Sequence, residues 1–186
     1  MKQSKTNISI LAFLALGVIS FSSCKDDEVV NPQNPNEEEL ITSVELVFTN
    51  AADSTDVSTF KFADPDGEGG NAPTQQDTIR LAQESNYTLA VRFLDESSSD
   101  IEDITEEVKG EAEEHLVCYT TDASTTVTIT DQDENELNLG LEANVETSIA
   151  ANGTFTVALK HQPDVKDGSC DVGETDVEVA FELEVK

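Results

Sequence analysis

The chain has no tryptophan, two tyrosines and one methionine in 186 residues. A sugar-stacking platform, which needs exposed indole or phenol rings, is poorly supplied. Histidine occurs twice and cysteine three times, so no cysteine- and histidine-rich zinc module can be assembled from spacing. Bases are also scarce: 10 Lys and Arg stand against 39 Asp and Glu, for a net charge of −29. A surface of that sign repels phosphate backbones and anionic lipid, which excludes nucleic acid as a partner, and its first meaning is solubility. The chain lacks G-x-S-x-G, H-E-x-x-H and any phosphate-cradling glycine loop. Carboxylate pairs are everywhere, but 39 acids create pairs by chance and identify no glycosidase dyad. These absences point to a chain that is not an enzyme and needs no cofactor. Long apolar runs are missing too. The Ile8 to Ile19 run is shorter than the roughly 20 residues a membrane-spanning helix needs.

That run has another use. Lys2 and Lys5 precede it, and Ser22 and Ser23 follow it, immediately before Cys24. A positive start, a short apolar stretch and small residues before a cysteine make a lipoprotein signal peptide, residues 1–23. Phe21 fills the apolar position that most lipoboxes give to leucine. Cys24 is then the lipidated first residue of the mature chain, and several acyl chains on one residue suffice for stable anchoring. The next four residues, Lys25, Asp26, Asp27 and Glu28, resemble the surface-export signal of Bacteroidota lipoproteins. The expected location is the outer membrane, at the cell surface or otherwise at its periplasmic face, with the membrane reached through lipid. The mature charge is 8 − 39 = −31, since Lys2 and Lys5 are lost and every acid lies beyond residue 23.

Residues 24–40 form the lipidated cysteine and a disordered acidic tether. Pro32, Pro35, three asparagines and a run of acids bury little, and such a segment spans roughly 20–25 Å. From Ile41 to Lys186 the dominant period is two, as expected for half-buried strands. Val44, Leu46 and Phe48 alternate with Glu45 and Val47, and Tyr87, Leu89, Val91 and Phe93 alternate with Thr88, Ala90 and Arg92. Further on, Leu139, Leu141, Ala143 and Val145 repeat the pattern. Phe155, Val157, Leu159 and His161 share one face, and Val177 to Val185 closes the chain. Shorter strands are expected at 57–62, 79–81, 117–121 and 127–129. One segment, Asp103 to His115, has helical spacing, with Asp103 and Glu106 as a capping box and Ile104, Val108, Ala112 and His115 on one stripe. The fold expected is a single antiparallel β-sandwich, immunoglobulin-like, of about eight or nine strands with one short helix.

Cys118 and Cys170 remain after lipidation of Cys24, and in an exported protein a disulfide between them is the default. Six segments carry a wider resemblance: Asp64-Pro-Asp-Gly-Glu-Gly-Gly-Asn-Ala-Pro, Phe93-Leu-Asp-Glu-Ser, Asp103-Ile-Thr-Glu-Glu-Val, Glu113-Glu-His-Leu-Val-Cys-Tyr, Leu159-Lys-His-Gln-Pro and Gly173-Glu-Thr-Asp-Val-Glu-Val. In that order they resemble a family of small, uncharacterised Bacteroidota lipoproteins, some of which are labelled as type 1 periplasmic binding folds. That label implies two α/β lobes, which a chain of this length with one credible helix does not accommodate. The resemblance implies no activity.

Three constellations offer ligands. Asp131, Asp133 and Asn135, with Glu142 at the twelfth place, have calcium-loop spacing, but Glu136 occupies the position of the usual glycine and strands flank the loop. A polar hairpin turn explains the same residues. Asp64, Asp66 and Glu68 precede Gly69 in a second acidic loop, where Gln75 replaces the bidentate acid. His115 and His161 both belong to apolar faces and are able to meet near one end of the core, close to Cys118; a third ligand for zinc is not visible. The reading is a non-catalytic binding or scaffold lipoprotein of unidentified ligand. The alternative is a divalent-cation-binding accessory protein that uses calcium or zinc.

Overall fold

The structure, a computed structural model, describes residues 39–67, 69–121 and 124–186. The expected signal peptide (residues 1–23), Cys24 and Lys25 to Glu28 lie outside the described residues, as does Glu68. Among the described residues the chain forms two sheets. The first begins with β1 (Ser43–Asn50), which turns Val44, Leu46 and Phe48 inward. β1 pairs antiparallel with β2 (Val57–Ala63) on one side and β5 (Asn86–Asp95) on the other. The sheet extends past β2 to β3 (Gln75–Gln76) and past β5 to β9 (Glu142–Thr147) and β8 (Thr125–Ile129), while β6 (Glu102–Asp103) pairs with the end of β5.

The second sheet runs β4 (Ile79–Leu81), β11 (Glu174–Val185), β10 (Ala151–His161), β7 (His115–Thr121). Its pairs are antiparallel except that β4 lies parallel to β11. The two inner faces form one core, so the architecture is the β-sandwich that the alternation predicts. Phe48 of the first sheet meets Phe155 of the second edge-on at 6.0 Å, and also contacts Phe60 and Tyr87. Each aromatic pair contributes about 0.5–1.5 kcal/mol beyond the area it buries.

Two local expectations change. The helix is α1 (Thr105–Gly110), half the predicted length. Its N-cap is Ile104, and no side chain caps it. Asp103 instead sits in β6, where its carboxylate accepts from the Thr105 N–H and the Arg92 guanidinium. The chain leaves the helix after Gly110, and His115 opens β7 rather than riding on α1. Ile104 and Val108 are still buried, as their spacing requires.

The second change is at 139–141, which is not part of a strand. Asp131 accepts from the backbone N–H groups of Gly140 (2.9 Å) and Leu141 (3.0 Å), so the ladder there gives way to a side chain. Gly140 holds φ +90° with its α-carbon against the Val117 carbonyl, a place a side chain would not fit. The segment joins the two sheets: Val117 N–H donates to the Leu139 carbonyl, and Val91 N–H donates to the Leu141 carbonyl. Leu139 and Leu141 keep their predicted burial with different backbone pairing.

Candidate functional site

The unusual chemistry gathers at one end of the sandwich, where α1, the start of β7 and the loops 131–141 and 162–173 converge. The strand register places it. Phe155, Val157 and Leu159 of β10 oppose Thr121, Tyr119 and Val117 of β7, and the same register brings His161 opposite His115. Both point inward, because both continue the buried alternation of their strands. The rings stack at 4.9 Å between centroids and 8° between planes. Cys118 is one step out of phase with Val117, so it faces away from the inter-sheet core. There it is bonded to Cys170, with 6.1 Å between α-carbons. The bridge clips the 162–173 loop to the outer face of β7 beside Leu116 and Ala158, unlike the inter-sheet bridge of antibody domains.

His115 is fully buried. Its Nδ1 is 3.1 Å from the Glu111 carbonyl at the end of α1. A carbonyl only accepts, so Nδ1 carries the hydrogen and Nε2 is a bare lone pair. Nε2 is buried with no hydrogen-bond partner. Burial, foremost, then His161 and Lys166, pushes this imidazole down to about 4 against the opposing carbonyl contact, so it is neutral at physiological pH. His161 reaches Glu114 only at 4.0 Å.

Carboxylates crowd the same corner. Glu39, Glu111 and His115 each bring a ligand atom to within 4.8 Å of the other two. Burial, followed by the charges of Glu107, Glu111 and Glu102, pushes Glu39 up to about 7. Glu111 is raised as well, by burial and then by Glu107 and Glu114.

The loop 131–137 is organised around a different cation. Lys166 donates to Asp133 Oδ2 and to the Ala112 carbonyl, each at 2.7 Å. The Lys166 and Asp133 side chains are 3% and 0% exposed. Asp133 Oδ1 accepts from the Asn135 and Leu137 N–H groups, while the Asn135 amide turns away to Glu113. Glu142 stands exposed on β9. Of the residues in the calcium-loop reading, Asp131, Asp133, Asn135 and Glu142, the first two have their carboxylates engaged by backbone N–H groups and the Lys166 ammonium. In the other acidic loop, Asp66 accepts from the backbone and side chain of Asn71. Asp64 is buried beside it and held above the usual carboxylate range, by burial and then by Asp66. Asp66 is thus bonded within its own turn, while Asp64 Oδ1 is buried without a hydrogen-bond partner.

A cleft of about 410 Å³ opens beside these groups, lined by Val91, Thr105, Lys109, Asp131, Leu139 and Glu142 among others. Three contributors to this end, Glu39, Glu111 and Lys166, escape a reading of spacing alone. Glu39 closes a run of three glutamates and Glu111 sits among other acids, so neither stands out. Lys166 does carry a signal: with eight Lys and Arg beyond residue 23, one inside a long loop has acids to choose from.

The fold and this loop-rich end define a two-sheet β-sandwich whose distinctive groups are tied by a surface disulfide and a buried ion pair. No family model, curated protein or solved structure matches the chain.

Proposed function

We propose that the chain is a lipid-anchored outer-membrane protein that displays its β-sandwich at the cell surface as a non-catalytic binding or scaffold module. The Cys118–Cys170 bridge carries this reading. Disulfides of this kind persist in oxidising compartments, and the lipobox-like Ser22-Ser23-Cys24 supplies the route to one. Cys170 is exposed, so the bridge is open to any reductant around it. The acidic Lys25 to Glu28 segment behind Cys24 supports export onward to the surface.

The non-catalytic part rests on the sequence, which carries none of the catalytic motifs sought. Asp131 and Asp133, which line the cleft, serve its loop by accepting from backbone N–H groups and Lys166. The accessory cation-binding alternative is favoured by one cluster, Glu39 with Glu111 and His115, and not by the acidic loops.

The address is tested in cells. Cys24→Ala is expected to abolish acylation and release the protein from the membrane fraction. Replacing Asp26, Asp27 and Glu28 together by alanine is expected to retain the lipid and withdraw the domain from protease added to intact cells. If protease still reaches that acid-free variant, surface export through this segment is refuted. If Cys24→Ala remains membrane-bound, so is the lipid anchor.

A further inference from the structure

We propose that Glu39, Glu111 and His115 form a site for one divalent cation of the zinc class, with a coordination position left for water. Their ligand atoms already lie within 4.8 Å of one another. Tetrahedral zinc with nitrogen and oxygen ligands sets its donors about 3.4 Å apart, so binding requires a contraction of at most about 1.4 Å, within the reach of two glutamate side chains.

The imidazole points to a ligand independently of the acids. His115 is fully buried, one of its nitrogens is without a hydrogen-bond partner, and the other is held by the Glu111 carbonyl. A metal-binding histidine is oriented in this way, with one nitrogen on a carbonyl or carboxylate and the other free for the ion. The stacked His161 fixes the plane of the ring from the side and is not itself required as a donor. Lys166, a neighbouring base, is already committed to Asp133 and Ala112.

The donor set selects the ion. One imidazole and two carboxylates suit zinc and the later first-row divalent metals. Calcium and magnesium favour six or more oxygens and have no use for imidazole. Among the described residues no thiol is on offer, because Cys118 and Cys170 are bonded to each other. Glu39 lies four residues before β1. A bound cation therefore fastens the entry to the domain onto the end of α1 and the start of β7. The site stands whether or not Cys24 carries lipid.

The test is a calorimetric titration of the untagged full chain in detergent with zinc alone, at neutral pH over a millimolar calcium and magnesium background. One saturable zinc site per chain is expected, and calcium is expected not to displace it. Glu39→Gln and Glu111→Gln are each expected to weaken zinc at least about tenfold, the scale of loss seen when even an outer partner of a metal ligand is removed. The control Glu142→Gln is expected to bind as the parent does. The chain has two histidines, so ring-nitrogen NMR can assign each; zinc is expected to shift the His115 signal. Absence of a saturable site overturns the proposal and leaves a shared proton to hold the cluster together. Unchanged binding in both glutamine variants also overturns it, by placing zinc elsewhere on the acidic surface.

Discussion

Replacing Cys118 and Cys170 together by serine lowers the unfolding free energy by about 4 kcal/mol. The two residues are 52 apart in sequence, and their bridge closes a loop of that length in the unfolded chain. Loop-closure entropy at this length is worth about 4 kcal/mol at room temperature, most of it a restriction of the unfolded ensemble. The folded loop has other ties. The buried Gln162 donates to the Ser169 and Val172 carbonyls, and its own backbone N–H donates to the Glu114 carbonyl. The double serine variant therefore keeps a native-like loop while its melting midpoint falls. Urea melts of parent and variant, with and without reductant, measure the difference. Reductant should move the parent to the variant's midpoint and leave the variant unmoved. Coincident melts for all four samples, or two labelled thiols per chain in denatured unreduced protein, would falsify the bridge's role.

Removing either partner of the Lys166–Asp133 pair costs about 3–5 kcal/mol, the penalty for leaving one buried charge without its counterion. Asp133→Ala strands an ammonium whose side chain is 3% exposed and frees the Asn135 and Leu137 N–H groups that hold the turn. Lys166→Met strands the carboxylate and also takes the donor from the Ala112 carbonyl. The two effects are coupled, so the double variant loses less than the sum of the singles; a double-mutant cycle measured by urea melts gives the interaction term. Additive losses would show that the residues act independently.

The same pair sets a pH dependence. Burial alone would raise the Asp133 carboxyl, but Lys166 and the N–H groups of Leu137 and Asn135 outweigh it and hold it below the usual carboxylate range. A group with a lowered folded pKa binds its proton more readily when unfolded. Its stabilisation is complete above the unfolded value, about 3.9, and disappears as pH falls through the lower folded value. The stability gap between parent and Asp133→Ala should therefore narrow below about pH 4 and stay constant between pH 6 and 8. A gap that is flat into strong acid would assign the loss to packing instead.

The strands could be read from local pattern because burial on one face leaves a period of two wherever it occurs. Val44, Leu46 and Phe48, or Val179, Phe181 and Leu183, announce their faces without reference to any partner. The cysteine pairing was also legible, since the expected lipidation of Cys24 leaves Cys118 and Cys170 for each other. The 103–115 segment shows the limit. Its helical spacing is real over Ile104 and Val108, but Arg92, 11 residues before Asp103, holds one end, and β10 takes the other by pairing His161 with His115. The same holds at 131–142, where calcium-like spacing conceals a loop whose cation comes from Lys166, 33 residues beyond Asp133. His115 and His161 were legible as two apolar-face histidines able to meet near one end of the core, and the register of β7 against β10 makes them a stacked pair. Glu39 and Glu111 joined His115 only because the entry segment, the helix end and a strand start meet at one corner of the sandwich. Periodicity is a property of neighbouring residues and survives in one dimension. A constellation of side chains depends on which distant backbones cross, and that is settled only when the sheets close on their common core.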